Sequence, residues 1–235
     1  MQGMAGAQVT ATGTHRGTAP TGKPPAMLDL GPVAAAEVHH DPFVFFTASP
    51  LLSDAALAVV RADFPKIDKP GIYPLSALEC SGAFARLIDD IRSEALAELV
   101  GEKLGVELRG LPLMITVRGH AQKKDGRIHT DTKDKVATCL LYLNERWDDA
   151  GGRLRMLRSG TDLEDYAAEV SPSGGTLAAF KVAGNSWHGH KPFVGERRYV
   201  MFNWVRSEAA LNHQLGRHKF SAAIKRLVPF FYRGK

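Results

Sequence analysis

The chain has 235 residues, of which 44% are hydrophobic, and this is enough for one large domain with a substantial core. Its two cysteines, Cys80 and Cys139, lie far apart and do not support a disulfide framework. No stretch stays apolar for the roughly 18 residues of a membrane span, so we expect a cytoplasmic protein without a membrane partner.

The basic character of the chain is concentrated at one end. The net charge is +5 and the pI is about 9.2. Residues 207–235 contain six basic residues and one acidic residue, an excess of five that equals the net charge of the whole chain. The remainder is therefore neutral, which disfavours nucleic acid as a partner of the core.

The first 110 residues divide into two segments. Residues 1–25 are rich in Gly, Ala, Thr and Pro and predict a disordered tail. Residues 26–110 predict a helical support region that begins with a short aromatic strand in "DPFVFF". Ser53 is a plausible N-cap for a helix that ends before Pro65. Apolar residues at three- and four-residue steps predict one amphipathic helix over 83–103.

The next segment, residues 111–206, changes to the pattern of a β domain. Short runs of β-branched and aromatic residues alternate with turn sequences such as "KKDG", "DDAGG" and "SPSGG". They predict an antiparallel sandwich or barrel of about seven or eight strands. Residues 207–226 predict a helix with a basic face at the C-terminal end of the fold. The expected fold class is mainly β with flanking helices.

The triplet "HTD" at 129–131 is the first candidate for chemistry. Side chains two positions apart on a strand share a face, so His129 and Asp131 are expected to project together. His188 and His190 lie just before the last strand and supply a third ligand. Two histidines and one carboxylate are typical of non-haem Fe(II) oxygenases, whereas zinc prefers a closed tetrahedral site with more His or Cys.

The last strand offers an anion anchor in Arg197 or Arg198. Neighbours on a strand point to opposite sides, so only one of the two faces the inside of the barrel. The face of Arg197 carries Tyr199, Met201 and Asn203, and the face of Arg198 carries Val200, Phe202 and Trp204. We expect Arg198 to be the anchor, because its face is the more apolar one and a buried arginine there needs an anionic partner.

These motifs together resemble the Fe(II)- and 2-oxoglutarate-dependent dioxygenases, in particular the prolyl-4-hydroxylase-like branch. The resemblance covers about residues 111–206 and rests on "HTD", on "TCLLYLNERWDDAGGRLRML" at 138–157 and on "WHGHKPFVGERRYVMFNWV" at 187–205. It implies a double-stranded β-helix (jelly-roll) core and hydroxylation of an unactivated C–H bond, with release of succinate and CO2.

The resemblance also implies roles for residues. Fe(II) would be held by His129, Asp131 and His188, and 2-oxoglutarate would lie against Arg198, with help from the hydroxyl group of Tyr142. Dioxygen is the second cosubstrate, and ascorbate is suggested as an additional cofactor. In this branch a histidine precedes the basic anchor by about ten residues, which favours the first histidine of "HGH" as the ligand.

The substrate is left open between a peptide and a small molecule, with peptidyl proline as the first candidate. Arg118, His120 and His190 are candidates for contacts with the substrate. Related halogenases have a small residue at the position of Asp131, so the carboxylate favours hydroxylation.

Three other classes compete with this interpretation. One is a β-barrel module that binds a metal or a sugar without turnover, and another is a catalytically idle interaction protein. The third, a nucleic-acid demethylase, is disfavoured because Trp204 stands where those enzymes have a second arginine.

Overall fold

The computed structural model describes residues 26–216. The predicted disordered tail 1–25 lies outside the described residues, as does the part of the basic segment after residue 216. Within the described range no helix is long and apolar enough to cross a membrane.

The helices come mostly before the strands of the core. In chain order the helices are α1 (Gly31–Ala35), α2 (Asp54–Ala62), α3 (Gly82–Ile91) and α4 (Glu94–Leu104), with a 3-10 turn at Leu75–Ala77, and residues 208–216 form a further helix, α5. The strands are β1 (Val38–His39), β2 (Phe45–Ala48), β3 (Tyr73–Pro74), β4 (Leu113–Ala121), β5 (Lys135–Tyr142), β6 (Leu154–Leu157), β7 (Tyr166–Val170), β8 (Leu177–Lys181), β9 (His188–Gly189) and β10 (Gly195–Val205).

Two antiparallel sheets form the β core. The larger sheet has seven strands in the order β1-β2-β8-β5-β10-β4-β3, and the smaller one has three in the order β7-β6-β9. Neighbours in space are often distant in sequence, as expected of a jelly roll. The predicted fold class, mainly β with flanking helices around a jelly-roll core, is confirmed.

Side-chain caps explain where α2 and α4 begin, and they correct one prediction. The Ser53 hydroxyl accepts a hydrogen bond from the backbone nitrogen of Ala56 at 3.2 Å, which confirms Ser53 as the N-cap of α2. The single helix predicted over 83–103 is wrong, because the chain forms α3 and α4 there. Ser93 lies between them in extended backbone, and its hydroxyl caps α4 through Leu96.

The larger sheet separates two apolar clusters. One lies on its outer face, where residues of β4, β5 and β10 pack against α2, α3 and α4, and it includes Val200, Phe202 and Trp204. The other lies between the two sheets and includes Tyr142, Leu154 and Tyr199. The outer cluster packs the helices against the sheet, whereas the inner one borders the cavity described below.

Candidate metal and anion site

A cavity of about 420 Å³ opens between the two sheets, and one end of it holds three groups with metal-binding side chains. Ligand atoms of His129, Asp131 and His188 lie within 4.8 Å of one another. His129 and His188 are paired by two backbone hydrogen bonds of 3.0 Å, each donated by one residue's N–H to the other's carbonyl oxygen. This exchange places their rings side by side, with centroids 4.3 Å apart.

Backbone carbonyls fix the orientation of both imidazoles. Nδ1 of His129 lies 2.8 Å from the carbonyl oxygen of Arg127, and Nδ1 of His188 lies 2.9 Å from that of Ser186. A carbonyl oxygen only accepts, so each Nδ1 carries the proton and donates it. Nε2 of each neutral ring is then left with a lone pair for a metal, as in metal sites with oriented histidines.

The pKa of the buried histidine favours the neutral form. Burial lowers the pKa of His188 to about 4, even though the nearby Asp131 carboxylate raises it. At neutral pH the ring is therefore uncharged and able to coordinate a cation.

Asp131 is held as a carboxylate by neighbours on β5. Burial raises the pKa of Asp131, but the Lys135 ammonium, His188 and the Thr138 hydroxyl outweigh it and bring the pKa to about 2. Lys135 donates to Oδ1 at 2.7 Å and Thr138 donates to Oδ2 at 2.5 Å. Thr138 in turn accepts a hydrogen bond of 2.7 Å from the side-chain amide of Asn203. The carboxylate thus has its orientation fixed from two sides.

Arg197 lines the same cavity, and it is a buried cation without an acidic partner among the described residues. Its side chain is among the largest that are fully buried, at 2% exposure. Nε donates to the carbonyl oxygen of Gly152 at 2.9 Å, and a terminal nitrogen donates to the Tyr142 hydroxyl at 3.4 Å. Its guanidinium carbon lies 5.3 Å from the ring centre of Tyr142 and 5.1 Å from that of Tyr199.

The notable feature of Arg197 is that it has no acidic partner among the described residues. In residues 26–216 no carboxylate lies within 4.0 Å of the Arg197 guanidinium. A buried charge without a counter-charge is costly, so such a group in a cavity is suited to an anionic ligand. Tyr142 is fully buried, and burial raises its pKa to about 12, so its hydroxyl remains a hydrogen-bond donor at neutral pH.

The expectation that Arg198 faces the barrel interior is wrong. Arg198 lies on the outer face, over the ring of Phe64 at 5.0 Å, where it pairs with Glu196 at 2.8 Å. It also donates to the carbonyl oxygen of Arg61 at 3.4 Å. The physical reason is that the more apolar face of β10 is the one that α2 to α4 cover, whereas the cavity face must carry polar groups. Trp204 shares that outer face and packs on Phe202.

The other predicted residues are distributed around the cavity. Tyr142 reaches the guanidinium of Arg197 as described above. Arg118 lines the cavity, where it forms an ion pair with Asp125 and donates to the Tyr199 hydroxyl at 2.9 Å. His190 also lines the cavity, but it does not join the group of three metal-binding side chains.

His120 lies outside the cavity lining. Its Nδ1 is buried and has no hydrogen-bond partner in the part of the chain that the structure describes. The sequence interpretation of His120 as a substrate contact therefore finds no support in its position.

Four cavity-side residues were missed from sequence: Lys135, Thr138, Asn203 and Asp125. Thr138 lies an even number of residues from Tyr142, and Asn203 lies an even number from Arg197, so each pair shares a strand face. The correct choice of face would therefore have found both. Lys135 breaks that parity, and no pattern in the sequence indicates it. Asp125 sits in the "KKDG" turn, where an acidic residue is unremarkable.

With this geometry in hand, comparison with known proteins gives a consistent class. Residues 116–206 match the 2OG-Fe(II) oxygenase superfamily. This range contains all three metal-binding side chains, Tyr142 and Arg197. Residues 116–206 therefore match the domain of 2-oxoglutarate-dependent dioxygenases, whose members use Fe(II), 2-oxoglutarate and O2. This match confirms the resemblance to the Fe(II)- and 2-oxoglutarate-dependent dioxygenases.

Solved structures with a similar fold include members of the prolyl-hydroxylase branch. A prolyl-4-hydroxylase from Pseudomonas putida is 20% identical, with a TM-score of 0.48 over 69% of this chain and 84% of the other. A viral collagen prolyl hydroxylase from Paramecium Bursaria Chlorella virus-1, in complex with 2-oxoglutarate, is 17% identical, with a TM-score of 0.48 over 71% of this chain and 97% of the other.

A third structure, HygX from Streptomyces hygroscopicus with nickel and 2-oxoglutarate bound, is 16% identical, with a TM-score of 0.48 over 70% of this chain and 82% of the other. At these identities the likeness concerns the fold. Among curated proteins, none is significantly similar to this chain in sequence.

Proposed function

We propose that the chain hydroxylates an unactivated C–H bond in a reaction that consumes 2-oxoglutarate and O2 and releases succinate and CO2. His129, Asp131 and His188 would hold Fe(II), and Arg197 would bind the distal carboxylate of 2-oxoglutarate. The observation that most supports this proposal is the buried guanidinium of Arg197, which pairs with no acid in residues 26–216 and lies in the same cavity as the two imidazoles and the carboxylate.

The donor set fits the metal. Two imidazoles and one carboxylate suit Fe(II) and leave positions for a cosubstrate, whereas a structural zinc site would be closed by four protein ligands. Fe(II) when bound supplies the oxidising chemistry with O2 and 2-oxoglutarate.

The chain's own residues would hold the metal and the cosubstrate in position and exclude water from the cavity. The carbonyl oxygens of Arg127 and Ser186 keep the two imidazoles in one tautomer. Lys135 and Thr138 hold the carboxylate of Asp131 in one orientation. Leu140, Leu154 and Met201 line the cavity with apolar surface. Such surface strengthens charge interactions inside the cavity and keeps water from the reacting groups.

Arg197 and Tyr142 form the proposed carboxylate subsite. A guanidinium presents a planar fork of donors that matches a carboxylate, and the Tyr142 hydroxyl can add a donor because it already accepts from Arg197. The Nε hydrogen bond to Gly152 fixes the side chain before the ligand arrives, which limits the entropy that binding costs.

Peptidyl proline is the first substrate to test, as the prolyl-hydroxylase resemblance suggests. Arg118 and His190 are the predicted substrate residues that line the cavity. The use of ascorbate and the cytoplasmic location stay predictions from sequence.

A nucleic-acid demethylase is disfavoured with the corrected anchor as well. The sixth residue after Arg197 is Asn203, so the second arginine of those enzymes has no counterpart here. Asn203 is fully buried against Thr138 and is engaged in supporting Asp131.

Succinate release tests the proposal against a binding module without turnover. Purified protein is given Fe(II), 2-oxoglutarate and O2, with and without prolyl peptides, free amino acids and sugars. We expect succinate from the wild type and none above background from His129→Ala. Equal succinate from both proteins, or none from a wild type that has bound Fe(II), would contradict the proposal.

A further inference from the structure

Lys135 reaches the cavity through an irregularity in β5. In the register with β10, Asn203 pairs with Thr138 and Trp204 pairs with Ala137, but Val205 then pairs with Lys135, so that Val136 has no paired residue on β10. Regular alternation would place Lys135 on the helix-covered face with Ala137. The extra residue turns its side chain to the cavity face instead, as a β-bulge does.

The bulge places the Lys135 cation in the cavity, at the far end from Arg197. Tyr142 and Lys135 are the two ends of β5, seven residues apart, which corresponds to roughly 23 Å along a strand. Asp131 contacts Lys135 and Thr138, so the metal-binding group lies toward the Lys135 end. The proposed cosubstrate site occupies the other end. A substrate therefore approaches the metal group on the side where Lys135 lies.

The charges that line the cavity do not cancel. They comprise three cations, Arg118, Lys135 and Arg197, and two carboxylates, Asp125 and Asp131. A ferrous ion and a 2-oxoglutarate dianion neutralise each other, so the loaded cavity keeps an excess of one positive charge. Asp125 is matched to Arg118, and the cosubstrate to Arg197.

Lys135 is the cation that this arrangement leaves under-neutralised. Its only carboxylate contact among the described residues is Asp131, whose charge is shared with a bound metal. An ammonium has three hydrogen-bond donors, and the Lys135 ammonium makes a single hydrogen bond within residues 26–216, to Asp131. At 7% exposure it has little solvent to satisfy the other two.

We propose that the substrate carries a carboxylate near the carbon that is oxidised, and that Lys135 binds this carboxylate. This proposal rests on the proposed function and narrows its substrate class. A free amino acid or another small carboxylic acid fits it, whereas an internal prolyl residue of a peptide or a neutral sugar does not. Gln214 of α5 closes this end of the cavity, where its side-chain amide donates to Thr132 at 3.0 Å and to Asp134 at 3.1 Å.

Binding to the anaerobic Fe(II)–2-oxoglutarate complex tests the proposal without turnover. The probes are free amino acids and short carboxylic acids, each beside its carboxamide, such as L-proline beside L-prolinamide, and a blocked peptide, acetyl-Gly-Pro-Gly-amide. Excess 2-oxoglutarate keeps Arg197 occupied. The visible charge-transfer band of the complex reports binding. We expect at least one acid to shift the band with an affinity tenfold or more above that of its amide, as a charge-assisted hydrogen bond provides.

Two variants test whether Lys135 causes the preference for an acid over its amide. Lys135→Gln is expected to bring the ratio of acid to amide affinity close to one, and Lys135→Arg to retain it. Thr138→Val is the matched control, because it disturbs the same Asp131 carboxylate without removing a charge. It should weaken the metal complex and keep the preference for the acid.

The outcomes separate this inference from the proposed function. If the wild type forms no charge-transfer band, the proposed function fails. If the band forms but no acid binds better than its amide, or if Lys135→Gln retains the preference, the inference about Lys135 is wrong while the oxygenase proposal stands. The wild-type comparison of acids with amides decides the substrate class even if Lys135→Gln does not fold.

Discussion

The two faces of the seven-stranded sheet carry opposite chemistry on the same strands. On β10 the outer face packs Val200, Phe202 and Trp204 against the helices, whereas the inner face presents Arg197 and Asn203 to the cavity side. The apolar face needs only volume and shape to be stable. The polar face is stabilised by specific partners, and one of its cations, Arg197, has no acidic partner in the described residues. In this fold the apolar face of the sheet supports the structure, and the polar face carries the candidate site.

The largest effect on stability should come from the helix-covered face. Phe202→Ala removes a fully buried ring from the outer cluster and should lower the free energy of unfolding by about 3–5 kcal/mol. Chemical denaturation measures this loss, and Val59→Ala on the exposed side of α2 is the control with little effect. Because Phe202 points away from the cavity, 2-oxoglutarate affinity of the folded fraction should stay within about twofold. A large loss of 2-oxoglutarate affinity would contradict the separate roles of the two faces.

A substitution in the metal-binding group should lower metal affinity strongly while the protein still folds. Asp131→Ala removes one of the three ligands and should weaken Fe(II) binding by about a hundredfold or more. Isothermal titration with Mn(II) or anaerobic Fe(II) measures the change. The fold should remain cooperative because the buried apolar clusters are untouched, but its stability should fall because buried Lys135 loses its only carboxylate contact among the described residues. Wild-type metal affinity in this variant would remove Asp131 from the site.

The pH dependence of stability should originate on the cavity side. Burial lowers the pKa of His190 to about 4 from its usual 6.5, and Arg197 and Arg118 lower it too. The unfolded chain therefore takes up a proton at a higher pH than the folded chain. Between pH 6.5 and 4 this difference should remove up to about 3 kcal/mol of stability as the pH falls.

Denaturation of the metal-free protein at a series of pH values measures that loss, with His190→Gln as the comparison. The variant should have a flatter profile in this window and an unchanged one above pH 7. Identical profiles for the two proteins would show that His190 does not contribute.

A smaller effect on metal affinity is expected for a residue that hydrogen-bonds to a metal ligand. Thr138→Val keeps the shape of the side chain but removes the hydroxyl that donates to Asp131, and should weaken metal binding by about tenfold. Thr116→Val on β4 is the matched control, because that hydroxyl donates a hydrogen bond to the carbonyl oxygen of Met201 at 3.4 Å and Thr116 does not line the cavity. Equal effects of the two substitutions on metal affinity would contradict the supporting role of Thr138.

Much of this fold could be predicted from sequence because its signals are local. Ser53 caps α2 as its hydroxyl and position indicate, and the strands of residues 111–206 follow their β-branched and aromatic runs. The break at Ser93 was missed, since apolar residues continue at helical spacing on both sides of it and hide the second cap.

The site was predictable only where a motif fixed it. His129 and Asp131 form a recognisable triplet, and the spacing to the last strand indicated His188. The choice between Arg197 and Arg198 failed because it assumed that the interior of the barrel is the more apolar side. Helices that pack on the outer face reverse this, and sequence alone does not show which face they cover. The bulge that turns Lys135 inward depends on register between distant strands and has no local signal.

The central claim is that Arg197, and not its neighbour, holds the cosubstrate beside the metal group. Anaerobic titration of the Fe(II) protein with 2-oxoglutarate, followed by the charge-transfer band, gives the dissociation constant for the wild type, Arg197→Gln and Arg198→Gln. The account predicts a loss of affinity of about a hundredfold or more for Arg197→Gln and a change within about threefold for Arg198→Gln. Equal affinities in the wild type and Arg197→Gln, or a large loss in Arg198→Gln alone, would contradict it.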